Sequence, residues 1–229
     1  MTGLARRALA EFVGTAFLVA AVIGSGIAAV RLSPSDTGLE LLENAVITGA
    51  ALVALILALQ PVSAAFNPVV TLVERGMGGI TTSDAAALVA AQISGGFVGA
   101  VLANLMFHRD AVSISTHHRT GSNLLLAEAI ATLGLLVVIF GTARSGRSER
   151  VAFAVGGYIL AAYWFTSSTS FANPAVTLAR MFSNTFAGIA PASVAPFIGA
   201  QVVGGLLGYA LVRALYPAPS APILEETGR

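Results

Sequence analysis

The chain has 229 residues, of which 56% are hydrophobic and 10% are charged, with a mean hydropathy of +0.84. Because soluble domains carry about 25% charged residues, this composition excludes a protein with a fully solvated surface, and lipid must cover most of the outside. The net charge of +1 says nothing about nucleic acid, but no basic run is present that would follow phosphates, so no nucleic-acid partner is expected. The absence of cysteine excludes disulfides and thiolate metal sites.

Six stretches are long and apolar enough to cross a membrane as helices. They cover residues 8–30, 43–60, 85–107, 123–141, 151–167 and 195–216, and the connections at 31–42, 108–122 and 142–150 hold ten of the 23 charged residues. The first stretch is too long for the apolar core of a secretion signal, and it contains Glu11. The sequence therefore predicts an all-α membrane protein that forms one domain over residues 1–229.

Arginine placement predicts that both termini are cytoplasmic. The segments on that side would hold Arg6, Arg7, Arg75, Arg144, Arg147, Arg150, Arg213 and Arg229, against Arg31, Arg109, Arg119 and Arg180 on the other side. All the basic residues are arginine, a bias typical of GC-rich bacterial genomes. We therefore expect the inner membrane of a bacterium.

Two connections, residues 61–76 and 170–188, are too apolar for water and too short to cross the bilayer. Each contains Asn-Pro, at Asn67-Pro68 and Asn173-Pro174. Asparagine is a good helix N-cap, and proline is tolerated at the first helical position. The pattern predicts two re-entrant half-helices, which are allowed at membrane depth only where they line a cavity.

The two halves of the chain are copies of each other, with repeats at approximately 8–107 and 123–216. AEFVGTAFL (10–18) aligns with AEAIATLGL (127–135), and NPVVTLV (67–73) aligns with NPAVTLA (173–179). The third and sixth stretches share a Gln-x-x-Gly-Gly-x-x-Gly pattern that begins at Gln92 and at Gln201. Three spans per half is an odd number, so the copies must be inverted and the two half-helices must enter from opposite faces.

Paired Asn-Pro-Ala-type triplets, an Ala-Glu-Phe first span and this glutamine-glycine pattern resemble the aquaporin (major intrinsic protein) family. The resemblance implies a right-handed six-helix bundle with one pore per protomer, and a homotetramer. It implies that the triplets Asn67-Pro68-Val69 and Asn173-Pro174-Ala175 form the pore midplane, where both asparagines donate hydrogen bonds to solute. Val69 departs from the usual alanine.

Glu11 and Glu128 occupy equivalent positions inside spans. An intramembrane carboxylate suggests a functional group such as a proton relay, whereas the resemblance implies that these acids accept hydrogen bonds from the backbone of the re-entrant segments. We favour the structural role because neither acid has a basic partner within its span.

The resemblance places a selectivity constriction at Thr48, Ala161, Ser170 and Val176, with Ile47 as the alternative to Thr48. Most family members carry arginine where this chain has Val176. These four residues predict a wide, weakly cationic mouth without an aromatic or histidine side chain. Arg180, one helical turn later, either lends a charge to the mouth or tethers the outer loop.

Several remaining residues have simpler interpretations. His108, His117 and His118 lie in a polar connection and predict no metal site, and no pattern predicts a cofactor. Pro191 and Pro196 are expected to bound the turn into the last span, and Pro217, Pro219 and Pro222 to mark a disordered tail.

The sequence thus predicts a passive channel for water and small uncharged solutes, and not an enzyme. The segment STSFANPAVTLARMFSNTFAG (168–188) resembles a bacterial aquaporin branch associated with arsenic resistance. That likeness implies permeation of arsenite, methylated trivalent arsenicals or glycerol-like polyols. The alternatives are a water and glycerol channel without a role in arsenic transport, and an ion-coupled secondary transporter.

Overall fold

The structure, a computed structural model, describes residues 3–216. Its helices are α1 (Gly3–Leu32), α2 (Thr37–Leu59), α3 (Pro68–Gly76), α4 (Thr82–Met106), α5 (Ser122–Arg144), α6 (Val151–Phe165), α7 (Pro174–Arg180) and α8 (Pro191–Leu215). A short 3₁₀ turn, Ser148–Arg150, precedes α6. The prediction of an all-α fold with two half-length helices is confirmed, and the predicted tail prolines lie outside the described residues.

Five helices of the described chain, α1, α2, α4, α5 and α8, are long and apolar enough to cross a membrane. Helix α6 has 15 residues, which at 1.5 Å per residue is about 22 Å, short of the roughly 30 Å hydrocarbon core. Helix α6 thus ends at Phe165, two residues before the end of the predicted fifth span, 151–167. A non-helical segment, 166–173, leads from α6 into the half-helix α7.

The other span boundaries differ from the prediction because polar residues are included in the helices. Helix α2 begins at Thr37, since the Asp36 side chain accepts a hydrogen bond from the Leu39 amide and caps the helix. Helix α8 begins at Pro191, and Pro196 lies inside it. The prediction that Pro196 bounds a turn is wrong, because α8 continues through this proline, which removes one backbone hydrogen bond of the helix.

The helices define two faces of the molecule. The terminal face carries the ion pair between Arg7 and Asp84, 3.6 Å apart, and the hydrogen bond from Gln60 to the Ser148 carbonyl. The distal face carries the hydrogen bond from Arg31 to the Phe107 carbonyl. The Arg144 side chain, near the 3₁₀ turn, donates to the Tyr216 carbonyl, so both ends of the described chain lie at the terminal face. Helices α1 and α4 run in parallel.

The inner packing of the two halves is equivalent. A Cβ built on Gly95 would lie 2.2 Å from the Phe12 carbonyl oxygen, and a Cβ on Gly204 would lie 2.2 Å from the Ala129 carbonyl oxygen. Only glycine permits this approach of α4 to α1 and of α8 to α5, as small residues do at membrane helix interfaces. The close packing leaves the centre of the bundle to α3 and α7.

Candidate pore

The half-helices α3 and α7 begin close to each other in the middle of the bundle, each at an asparagine cap. The Asn67 side-chain oxygen accepts from the Val69 amide at 3.0 Å, and the Asn173 oxygen accepts from the Ala175 and Val176 amides at 3.0 and 3.2 Å. These bonds satisfy amides that have no partner within the first turn of a helix. Pro68 and Pro174 take the first helical positions, where no amide is needed.

The amide nitrogens of the same asparagines link the two half-helices. Asn67 Nδ2 donates to the Ala172 carbonyl at 2.7 Å, and Asn173 Nδ2 donates to the Phe66 carbonyl at 2.7 Å. Each NH₂ group carries two hydrogens, so one N–H of each asparagine remains for another acceptor. Two positive helix ends therefore meet beside two amide donors, a field that repels cations and attracts solute oxygen atoms.

The residues before the asparagines have unusual backbone conformations. Phe66 and Ala172 both have φ of 48°, in the left-handed region. Non-glycine residues are held there at a cost of about 1–3 kcal/mol and only where the surroundings fix them. Glu11 and Glu128 stabilise these two backbone conformations, because their carboxylates accept hydrogen bonds from the Phe66 and Ala172 amides at 2.7 and 2.9 Å.

Both buried acids are fully engaged in hydrogen bonds. Glu11, with no exposed surface, also accepts from the Ala65 amide, Ser63 and Gln92. Glu128 is equally buried and accepts from the Phe171 amide and Gln201. The two glutamines donate in turn to threonines of the half-helices at equivalent positions. This arrangement favours the structural interpretation of both acids over a proton relay.

A cavity of about 80 Å³ passes both asparagines, and its wall is predominantly apolar. Its half nearer the terminal face is lined by residues such as Ile56, Ala64, Val151 and Val155. Its half nearer the distal face is lined by Thr48, Tyr163, Ser170, Val176 and Arg180. An apolar wall offers few competing hydrogen bonds to a solute. Small neutral molecules can therefore exchange hydration for the donors at the asparagines.

Three of the four predicted constriction residues, Thr48, Ser170 and Val176, line this cavity, and each is at least 95% buried. Ile47, the alternative to Thr48, is 47% exposed and does not line it. Ala161 is also exposed and lies outside the cavity lining. The prediction of Ala161 as a pore residue is therefore wrong.

Tyr163 takes the place expected for Ala161. Its hydroxyl lies 3.2 Å from the Thr48 hydroxyl, and both line the cavity. The residues of α6 that line the cavity are spaced by four, at Val151, Val155, Ile159 and Tyr163, and this spacing puts Ala161 on another face. This spacing of four apolar residues is visible in the sequence. It places Tyr163 in the cavity wall, which corrects the expectation that the mouth lacks an aromatic side chain.

Two arginines, Arg180 and Arg119, lie near the distal end of the cavity, although the sequence predicts a weakly cationic mouth. Arg180 is 98% buried, lines the cavity, and donates through Nε to the Ala187 carbonyl. Both roles considered for Arg180 are thus present in the contacts. Arg119 lies in the connection between α4 and α5, donates to the Gly188 and Phe186 carbonyls, and has its pKa lowered to about 10 by burial.

The histidines lie in or beside the same connection, away from the cavity lining. Desolvation, together with the charges of Arg119 and Arg180, lowers the pKa of His117 below its ordinary value. Within residues 3–216 no group of three or more potential ligands is placed to hold a metal ion.

The chain is similar to known proteins over nearly its whole length. Residues 2–166 match the family model of the major intrinsic proteins. The chain is 48% identical over 225 residues to aquaglyceroporin AqpS of Rhizobium meliloti, covering 98% of this chain and 95% of that protein. It is 28% identical over 229 residues to the probable aquaporin TIP2-2 of Arabidopsis thaliana, covering 93% and 90% of the two chains. The X-ray structure of the aquaglyceroporin from Plasmodium falciparum superposes with a TM-score of 0.71 at 19% identity, covering 93% of this chain and 98% of that one.

Proposed function

The chain belongs to the major intrinsic protein family of membrane channels, and on that premise we propose that it passively conducts uncharged solutes larger than water. The solutes are glycerol-like polyols and neutral trivalent arsenic hydroxides, together with water. No part of this transport requires chemistry on the solute. The protein supplies a path of suitable width, hydrogen-bond donors at the midplane and a barrier to ions.

The observation that carries the proposal is Val176 in the cavity wall. Val176 follows the second Asn-Pro-Ala triplet directly, is 5% exposed and lines the cavity beside Ser170. A valine there offers no hydrogen-bond donor and projects less far than the arginine usual in the family. The wall next to the midplane is therefore apolar, which suits the carbon backbone of a polyol.

Arsenite and its methylated derivatives fit the same description. As(OH)₃ is neutral near pH 7 and presents hydroxyl groups much as glycerol does, while methyl substitution adds an apolar side. The likeness of residues 168–188 to the arsenic-associated branch supports this substrate class, and the 48% identity to aquaglyceroporin AqpS supports a polyol channel.

Side-by-side permeability measurements test the proposal. The purified chain is reconstituted in liposomes, and water, glycerol, urea and arsenite entry are followed by light scattering and uptake against protein-free liposomes. We expect glycerol and arsenite entry well above the control and linear in concentration. Entry of water alone, or saturating entry at low solute concentration, contradicts the proposal.

Tyr163 favours a second candidate, a channel that passes mainly water. An aromatic ring at the mouth narrows the path, and its hydroxyl is held by Thr48. Replacing Tyr163 by Ala separates the two candidates, with Ala161→Val, on a face away from the cavity, as the matched control. If the native channel passes glycerol poorly and Tyr163→Ala raises glycerol entry by about tenfold or more, the water channel is the better assignment.

We further propose a homotetramer in a bacterial inner membrane with both termini in the cytoplasm. The distribution of arginines supports the orientation. Because the native chain has no cysteine, single cysteines at Ser148 on the terminal face and at Thr120 on the distal side report orientation directly. A membrane-impermeant maleimide added to intact cells should label Thr120→Cys and spare Ser148→Cys, and crosslinking in membranes should show four subunits.

A further inference from the structure

Arg180 is a buried cation without a carboxylate partner. It is 2% exposed, and the ion pairs among residues 3–216 are Arg7–Asp84 and Arg150–Glu149. Burying an unpaired charge is expensive, and an ionisable side chain within a membrane protein calls for a function. The contacts of Arg180 should therefore both stabilise its charge and indicate its function.

An aromatic ring and one carbonyl hold the guanidinium of Arg180, and Arg119 binds the two neighbouring carbonyls. The guanidinium carbon of Arg180 lies 3.4 Å from the centre of the Phe171 ring, and its Nε donates to the Ala187 carbonyl. Arg119 contacts the same ring at 5.0 Å and donates to the carbonyls on either side of Ala187, those of Phe186 and Gly188. Two arginines thus share one ring and one stretch of backbone, which fixes Arg180 against the cavity.

The outer nitrogens of Arg180 remain available. The only hydrogen bond of its guanidinium within the described chain is the one from Nε, and the two Nη atoms carry four further N–H donors. Arg180 lines the cavity. A solute that enters from the distal face therefore meets these donors before it reaches Val176 and the asparagines.

An independent feature of the same wall points to a ligand. Ser170 Oγ is buried, 97% of the residue is hidden from solvent, and the hydroxyl has no hydrogen-bond partner in the described chain. Ser170 also lines the cavity. Because an unpaired buried hydroxyl is costly, a bound hydroxyl of a solute, or water in its absence, completes its bonding.

We propose that Arg180 is the specificity-determining cation of this pore, placed one helical turn distal to Val176, and that Arg119 is its positioning residue. The inference rests on the channel function proposed above and adds to it a distal subsite for hydroxylated neutral solutes, formed by Arg180 and Ser170. The valine and the arginine act in sequence. Arg180 excludes cations and binds hydroxyl oxygens, and Val176 then passes the apolar side of the solute.

The test compares Arg180→Met with Arg180→Lys in proteoliposomes, with potassium conductance and the ratio of glycerol to water permeability as readouts. Methionine keeps length and removes the charge, whereas lysine keeps the charge and removes the planar fork of donors. We expect Arg180→Met to gain potassium conductance and to change the permeability ratio by about tenfold, equivalent to about 1.4 kcal/mol. Arg180→Lys should exclude potassium as the native chain does and change the ratio only.

Arg213→Met is the matched control, because Arg213 also packs on an aromatic ring, that of Tyr209, but lies outside the cavity lining. Arg119→Met should change potassium conductance and the permeability ratio in the same direction as Arg180→Met, but by less. Arg119→Lys should restore part of the native values. Native potassium exclusion and a native permeability ratio in Arg180→Met overturn the inference. If that variant does not insert, an unchanged ratio in Arg180→Lys overturns it.

The outcome separates this inference from the proposed function. A native chain that passes only water overturns the polyol proposal, while the appearance of potassium conductance in Arg180→Met still identifies Arg180 as the cation barrier. Conversely, a native chain that passes glycerol with unchanged selectivity in both Arg180 variants retains the proposed function and removes Arg180 from it.

Discussion

Asn67 and Asn173 each donate a hydrogen bond, 2.7 Å long, to the carbonyl group of the residue that precedes the other. The same two side chains cap the half-helices through their oxygens. Each asparagine therefore joins the two halves of the chain and defines the end of its own helix. This double use leaves one N–H per residue for another acceptor, so the proposed pore midplane and the joint between the repeats are the same structure.

Asn67→Asp and Asn173→Asp are expected to impair neutral-solute flux and to admit cations. A carboxylate keeps the cap but has no N–H, so it loses the bond to the opposite carbonyl at a cost of about 1–3 kcal/mol and puts an anion between two positive helix ends. Glycerol uptake and potassium conductance in proteoliposomes measure both effects. Asn123→Asp, at the exposed start of α5, is the control, and native behaviour of both pore variants would exclude the paired-asparagine pore.

Glu11→Gln is expected to destabilise the fold. The carboxylate accepts from two backbone amides and two side chains, and an amide nitrogen would face at least one of these donors. Hydrogen bonds to a charged group contribute about 1.5–3 kcal/mol each, so the loss of even one should lower the melting temperature in detergent measurably. Glu149→Gln, on the exposed 3₁₀ turn, should melt as the native chain does.

The same variant distinguishes a channel from a secondary transporter. A channel predicts that any flux surviving in Glu11→Gln or Glu128→Gln is independent of an imposed proton gradient, as in the native chain. Solute accumulation driven by a proton gradient in the native chain and lost in either variant would instead assign a coupling role to these acids.

Gly95→Ala and Gly204→Ala are expected to disrupt the two inner helix pairs equally. The new Cβ would lie 2.2 Å from a backbone carbonyl oxygen in each case, so the helices must separate. Overpacking of this kind costs about 1–3 kcal/mol, occasionally more. Gly199→Ala, in α8 with open space around it, is the control. Melting of the purified variants measures the difference, and intact stability of both inner variants would contradict the packing described here.

Sequence reasoning located those parts of the pore that are set by local chemistry and by the repeat. An Asn-Pro pair determines where a half-helix starts, and repetition of the buried acid identified its partner, so Asn67, Asn173, Glu11 and Glu128 lie as expected. The resemblance indicates Ala161 and not Tyr163 because spacing from the triplet crosses residues 166–173, where the chain is not helical and residue spacing no longer indicates direction.

Arg180 marks a different limit of sequence reasoning. Its place on α7 follows from helical spacing, but its contact with the cavity depends on the carbonyls of residues 186–188 and on the Phe171 ring. Those contacts join segments whose relative placement is set by tertiary packing. A composition of small residues around Val176 therefore suggested a more open and less cationic mouth than the folded chain has.

His117 is expected to make the stability of the distal connection depend on pH. Because its pKa is lower in the folded chain than the ordinary 6.5, the unfolded chain binds the proton more readily. The contribution of His117 to stability is therefore complete above pH 6.5 and falls as the pH drops below it, with a direction set by the linkage relation. Melting between pH 5 and 8 should show a smaller loss at low pH in His117→Gln than in the native chain. An identical loss in both would contradict the expectation, and His118→Gln is the control from the same connection.

Val176→Arg should convert the apolar part of the wall into a narrow, donor-rich one. The side chain is buried in the cavity wall, so an arginine adds five N–H donors and a second cation one turn from Arg180. Glycerol and arsenite permeability should fall at least about tenfold, which needs only about 1.4 kcal/mol of added barrier, while water permeability is retained better. Val176→Met, unbranched and uncharged, separates size from charge and should reduce glycerol entry less than arginine does. Entry rates are compared at equal protein per liposome. If the arginine variant passes glycerol and arsenite as fast as the native chain, Val176 does not limit the path. Selectivity must then be set elsewhere along the wall, at Tyr163 or Arg180.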